Sequence, residues 1–225
     1  MTIVKHELRR GKISFFIWTG VIVFMLAVCI LLYPEMKSQM NEINDMFSSM
    51  GSFTSAFGMD QLNFGSLTGY YAIECGNVLG MGGAFFAALC AVGILSKEEK
   101  EKTSEFLLSH PISRTRVITE KLIAVFAQII ALNLVVYVVS AASIAAVGES
   151  VLWKELTLLH LAYCILQLEI AGICFGISAF LKKGSIGIGL GIAALLYLLS
   201  IIANITDSAE FLKYVTPFGY CEGSQ

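Results

Sequence analysis

The sequence predicts an all-α protein in the form of a bundle of transmembrane helices. Hydrophobic residues make up 56% of the chain and charged residues only 14%, whereas an average soluble domain carries roughly 25% charged residues. Five long apolar stretches are the second observation, because about 20 helical residues cross about 30 Å of hydrocarbon. The third is that the basic residues alternate with these stretches.

The apolar stretches are predicted to be five membrane spans. Four contain no charged residue, and the other is interrupted only by His160 and Glu169. In chain order they are 13–33, 75–95, 122–148, 156–181 and 184–206. The basic segment 1–12 is predicted to be amphipathic and cytoplasmic, either a short helix in the headgroup layer or a disordered tail that orients insertion.

The distribution of cations predicts the orientation of the bundle. If successive stretches cross the membrane in opposite directions, twelve of the fifteen Lys and Arg residues lie on one side of it. Only Lys37, Lys154 and Lys213 lie on the other side. Cytoplasmic loops of membrane proteins carry an excess of cations. The protein is therefore expected to be a multi-pass protein of the cell membrane with its N-terminus in the cytoplasm. The net charge of -2 gives no indication of nucleic-acid binding.

The outer connection, 34–69, contains apolar residues at helical spacing between Met36 and Met50. This pattern predicts an amphipathic helix against the membrane surface or the bundle. Five of the eight methionines lie here, so thioether binding of a cuprous ion is an alternative. The segment has no Cys or His to support it, and the six cysteines of the chain show no CxxC spacing. No metal site is therefore predicted.

Small residues at helix-packing spacing mark two faces where backbones can approach closely, either within the bundle or against a second copy. On the second stretch they are Gly76, Gly80, Gly83, Ala87 and Ala91, and on the fifth Gly184, Gly187, Gly191 and Ala194.

Glu169 lies near the middle of the fourth stretch, on the same helix face as Gly172 and Gly176. An acid at mid-bilayer costs about 2.5 to 3.5 kcal/mol on insertion scales, so we expect it to point into a packed seam. It is either a residue on an intramembrane substrate path or a protonated carboxyl with a structural hydrogen bond. The partners considered for that bond are Gln128, Asn133 and a neighbouring hydroxyl.

The inner connection, 96–121, carries six cations and five acids in 26 residues. Ser96 and Glu99 have the spacing of a capping box, and Pro111 ends the helix that would follow. Leu107 and Leu108 give this helix an apolar tip. The pattern is typical of a segment that docks into another protein, although a solvated charged loop explains it equally well.

This segment resembles the cytoplasmic signature of type-two ABC transporter permeases, the pattern E...T.E.LL..P.SR......K between the second and third spans. The residues that carry the resemblance are Glu98, Glu99, Thr103, Glu105, Leu107, Leu108, Pro111, Ser113, Arg114 and Lys121. The resemblance implies a coupling helix that docks into a separate ATP-binding subunit, and a transporter with two permease copies. The chain departs from the family in having Lys102 where a glycine is common. The family normally has six spans, so 207–225 is expected to be an outer tail that leads to a sixth.

The sequence therefore predicts a permease domain over 13–206, the membrane subunit of an ABC export system. No GxxxxGK[ST] phosphate loop occurs, so the partner is expected to use ATP and this chain to hold no cofactor and catalyse no reaction. A noncatalytic membrane immunity or anchor protein is the alternative. An intramembrane enzyme is less favoured, because the acids and histidines do not assemble into a recognisable catalytic set.

Overall fold

The computed structural model describes residues 2–38, 67–96, 113–181, 186–205 and 207–221. These ranges contain helices and turns and no strand, which confirms the predicted all-α fold. The helices are α1 Thr2–Ser38, α2 Leu67–Cys75, α3 Gly82–Val92, α4 Arg114–Ala146, α5 Trp153–Ser178 and α6 Ile186–Ile205. A π-helical turn, Gly76–Met81, joins α2 to α3, and two 3₁₀ helices, Asp207–Tyr214 and Pro217–Tyr220, follow α6.

Five helices in the described ranges are long and apolar enough to cross a membrane, as predicted. We call α1 span one, the continuous helix of α2, the π turn and α3 span two, and α4, α5 and α6 spans three, four and five. Span one has 37 residues and is therefore about 55 Å long. Residues 2–12 are its first turns, so this segment is neither a separate surface helix nor a disordered tail.

Successive spans run in opposite directions. Spans one and three are parallel, because Ile3 contacts Glu120 near one end and Lys37 contacts Glu149 near the other. Span two is antiparallel to span one: the Tyr70 hydroxyl, near the start of span two, donates to a carbonyl in the second half of span one. We call the side of the membrane that holds residue 2 the N-terminal side and the other the opposite side.

Span two lies at the centre of the bundle. In its apolar window 56% of the residues are buried, against 22% in spans one and five. Its predicted small-residue face packs on span four, as a Cβ at Gly83 would lie 2.0 Å from the Gln167 amide nitrogen, and one at Gly80 would lie 3.0 Å from the Tyr163 ring. The glycines therefore allow two backbones to approach closely.

Span five packs on span two through a different face from the one marked in the sequence. A Cβ at Gly189 would lie 2.9 Å from a Val92 methyl carbon. Gly187 and Gly191, on the predicted face, are exposed. Within the described chain that face is therefore not a helix-packing seam.

Residues 207–221 fold back along span five. The Thr216 hydroxyl donates to the carbonyl of Leu196 at 2.7 Å, and the Phe218 ring packs edge-on against Tyr197. The Cys221 thiol reaches the carbonyl of Ala162 in span four at 3.4 Å. Large apolar side chains elsewhere on the bundle face outward, as expected for contact with hydrocarbon. They include Phe16, Phe24, Leu134, Leu158 and Leu195.

Candidate functional site

The predicted docking segment connects spans two and three on the N-terminal side. Seven of its predicted site residues lie outside the described residues: Glu98, Glu99, Thr103, Glu105, Leu107, Leu108 and Pro111. Arg114 is described and is exposed at the first position of α4. The Ser113 hydroxyl accepts a hydrogen bond from the Arg116 amide at 3.2 Å, so Ser113 caps this helix. Most of the predicted outer helix, from residue 39 onward, also lies outside the described residues.

A buried ion pair lies where this segment begins and ends. The Lys121 ammonium is 2.9 Å from the Glu7 carboxylate, and the two side chains are only 1% and 7% exposed. The same ammonium donates to the carbonyl of Ile94 at 2.9 Å. Because Glu7 belongs to span one and Ile94 follows α3, Lys121 connects spans one, two and three at one point.

Span four reaches the same place. The amide of Leu95 donates to the buried Ser178 hydroxyl at 3.1 Å, in the last turn of α5. We call Glu7, Ile94, Leu95, Lys121 and Ser178 the basal joint. Four spans therefore meet through directed hydrogen bonds immediately before residues 97–112.

Basic side chains surround the basal joint on the N-terminal side. Lys5, Arg9 and Lys12 are exposed on span one, and the Arg116 guanidinium is 3.0 Å from the Glu120 carboxylate. The N-terminal side of the described bundle is therefore strongly cationic.

The opposite side carries an ion pair of a different kind. Lys37 and Glu149 are 2.8 Å apart, but both side chains are substantially exposed. The hydrogen bond that the Lys37 ammonium donates to the Glu149 carboxylate raises the pKa of Lys37 above its usual value. Water screens such a pair, so it contributes little to stability.

The prediction that Glu169 points into a packed seam is wrong for the described chain. Its side chain is exposed, as are Gly172 and Gly176 on the same face, and a Cβ at either glycine would meet nothing within 4 Å. The Glu169 carboxylate accepts a hydrogen bond from the hydroxyl of Tyr220, in the folded-back tail. Burial and this hydrogen bond raise the pKa of Tyr220. A role for Glu169 on a substrate path stays a prediction.

Span four does bury the polar side chain of Gln167, which the sequence reasoning missed. Its amide nitrogen donates to the carbonyl of Leu79 in the π turn at 3.1 Å, and its amide oxygen accepts from Asn133 at 2.7 Å. Spans two, three and four are therefore joined by one hydrogen-bonded network. Asn133, considered as a partner of Glu169, belongs to this network, and Gln128 bonds the carbonyl of Ala124 in its own helix. Amide side chains inside an apolar run were the signal available in the sequence.

The five membrane-spanning helices agree with the result of comparing the chain with known families. The family model described as "ABC-2 family transporter protein" matches residues 1–219. The chain belongs to the ABC-2 family of transporter proteins. No curated protein and no solved structure matches it.

This assignment confirms the resemblance carried by residues 98–121. The ABC-2 protein is a multi-pass membrane protein of the permease type, the membrane-spanning part of an ABC transporter. In such systems the permease generally works with an ATP-binding subunit.

A second polar contact of this ABC-2 protein lies toward the opposite side. His160 is buried in span four, and its Nε2 atom is 2.8 Å from the Tyr71 hydroxyl of span two. The Tyr137 ring of span three packs edge-on against the imidazole with ring centroids 5.3 Å apart. His160 therefore links the same three spans as Gln167, about two turns away along span four.

Proposed function

We propose that this ABC-2 protein is the permease subunit of an ATP-driven exporter and that residues 98–114 dock into a separate ATPase subunit. The basal joint is the observation that supports the proposal best. Span one and the backbone at Ile94, shortly before the docking segment, both bond to Lys121, shortly after it, so a force applied to the segment acts on several spans at once. The sequence has no phosphate-binding loop of its own, which favours ATP hydrolysis by the partner.

We place the N-terminal side in the cytoplasm, where the ATPase and its ATP are available. The described cations Lys5, Arg9 and Arg116 lie on this side, whereas Lys37 and Lys154 lie on the other. Cytoplasmic connections of membrane proteins are enriched in Lys and Arg. The proposed orientation therefore puts the docking segment within reach of a soluble subunit.

Co-purification with the candidate ATPase tests the docking role. The change Leu107→Asp with Leu108→Asp puts two charges on the apolar tip, so we expect the complex to be lost while the permease still inserts. The matched control is Leu152→Asp with Trp153→Asp, which puts two charges on exposed apolar residues at the opposite-side end of span four and should leave the complex intact. Survival of the complex in the first variant would contradict the docking role.

We also propose that the transporter contains a second permease copy. The exposed face of span five around Gly187 and Gly191 supports this, since small residues let helix backbones pack closely in lipid. Gly191→Trp should lower the fraction of two-copy complexes, because a Cβ at this position meets nothing within its own chain. Native mass spectrometry measures the copy number.

The control for this variant is Gly20→Trp, at an equally open position of span one. It should leave the two-copy fraction unchanged. A single permease copy in the wild-type complex would contradict the proposal.

A further inference from the structure

We propose that Lys121 is a positioning residue that holds span three to span one and to the end of span two, on either side of the docking segment in sequence, and transmits displacement of that segment to spans one and two. The inference rests on the proposed docking of residues 98–114 to an ATPase, and it assigns a task to a residue outside that segment. The Lys121 side chain is 1% exposed, so its task is to position other residues and not to bind the ATPase itself.

The burial of Lys121 is the first argument. Lysine is almost never fully buried unless it is paired, because removing an ammonium from water is costly. The cost is offset only by well-placed partners, and those of Lys121 include the Glu7 carboxylate and the Ile94 carbonyl, each at 2.9 Å. An ammonium offers three N–H donors, and each bond it makes restricts the position of the partner. The pair therefore fixes span one relative to span three.

The identity of the second partner is the next argument. Ile94 follows the last residue of α3, Val92, and carbonyls at a helix end lack the partner that the next turn would supply. The Lys121 ammonium is thus bonded to the backbone, and not to a flexible side chain, at the point where the chain leaves span two. The neighbouring Leu95 amide is held by Ser178. A displacement of residues 97–112 must then act on this anchored backbone.

Two other ion pairs, Lys37 with Glu149 and Arg116 with Glu120, lack these features. Lys37 and Glu149 are exposed and contact one another across water-accessible surface. Arg116 and Glu120 lie four residues apart on one helix, so their contact joins no two spans. The Lys37–Glu149 pair has nearly the same length as the Lys121–Glu7 pair and serves as the matched control.

The experiment measures a distance in the complex of the full permease with its candidate ATPase in nanodiscs. Nitroxide labels are placed at Arg9 in span one and at Phe180 after span four, both exposed. They are introduced as unnatural amino acids, so the six native cysteines stay unchanged. Pulsed electron paramagnetic resonance compares the nucleotide-free state with the state trapped by ATP and vanadate. We expect the wild-type distance to shift between the two states.

The test variant is Glu7→Met with Lys121→Met. Removing both charges avoids leaving either member of the pair without the other, so folding is expected to survive even if Lys121→Met alone does not fold. We expect this variant to bind the ATPase and support ATP hydrolysis while the distance shift is lost. Lys121→Arg keeps the charge and the donors and should retain the shift, as should the control Lys37→Met.

A wild-type-like shift in the double variant would overturn the role of Lys121, and so would a wild-type distance that does not respond to ATP. Failure of the wild-type chain to co-purify with the ATPase is a separate outcome. It would count against the proposed function, and it is decided before any distance is measured.

Discussion

The missing side chain of Gly83 permits a buried hydrogen bond between two spans. The amide nitrogen of Gln167 occupies the space that a Cβ at position 83 would need, and from there it donates to the Leu79 carbonyl. Gln167 is fully buried, so it has no room to move aside while keeping its partners. A single methyl group at position 83 therefore competes with the network.

Gly83→Ala should destabilise the protein by about 1 to 3 kcal/mol, the usual cost of leaving a buried polar group unsatisfied. Thermal unfolding in detergent measures the effect. Gly20→Ala is the control, because a Cβ there meets nothing within 4 Å and alanine favours the helix. Equal stability of the two variants would mean that Gln167 relaxes without losing its bonds.

The contrast between Glu169 and Gln167 shows what sequence reasoning could reach at the scale of residues. Helical periodicity correctly groups Glu169 with Gly172 and Gly176, but it does not say which face turns inward. We assigned the acid to the interior because a mid-membrane carboxylate needs a partner. The partner is Tyr220, from a tail whose folding back no local pattern indicates.

At the scale of elements, spans one and three form a parallel pair with a Lys–Glu contact near each end. The contact on the N-terminal side, Glu7 with Lys121, is buried, and the contact on the opposite side, Lys37 with Glu149, is exposed. Their lengths differ by only 0.1 Å, at 2.9 and 2.8 Å, so the difference in environment decides their contributions.

Lys121→Met should lower the free energy of unfolding by about 3 to 5 kcal/mol, because it leaves the Glu7 carboxylate buried and without its ammonium. Lys37→Met should leave stability nearly unchanged, since its pair is screened by water. Unfolding of both variants in one detergent gives the comparison. Restored stability in the Glu7→Met, Lys121→Met variant would confirm that separating the buried carboxylate from the Lys121 ammonium causes the loss. A Lys121→Met chain as stable as Lys37→Met would contradict this account.

The uncharged stretches of the sequence predict where the spans lie, but they do not predict where the helices begin and end. Span one begins at Thr2, eleven residues before the first apolar run, because Glu7 and the basic residues continue the same helix beyond the hydrocarbon. The π turn was also not predicted. Its carbonyl at Leu79 is bonded by Gln167, a contact between residues 88 positions apart that no local window contains.

At the scale of the whole molecule, the two ends of the bundle differ in how many basic side chains they carry, and this difference predicts the orientation. A cysteine introduced at Lys154 should react with a membrane-impermeant maleimide in intact cells. A cysteine at Arg9 should react only after the cells are permeabilised, because we place the N-terminal side in the cytoplasm. The wild-type chain, with its six native cysteines, gives the background, and the reverse labelling pattern would contradict the proposed orientation.

The fold class and family could be predicted from the sequence because both depend on local sequence patterns, which can be read without knowing any tertiary contact. Apolar run length gives the spans, and the motif between Glu98 and Lys121 gives the family. The basal joint could not be predicted, although Lys121 stood in the motif, because its partners Glu7 and Ile94 lie 114 and 27 positions away.

The π turn of span two has a consequence for how this helix can vary in evolution. Deleting one residue from an ordinary helix rotates everything after it by about 100°, which would turn buried residues such as Phe86 toward lipid. Deleting one residue within Gly76–Met81 instead converts the wide turn into a regular one and leaves both flanking halves in phase. Homologues one residue shorter in this span should therefore carry their alignment gap at 76–81.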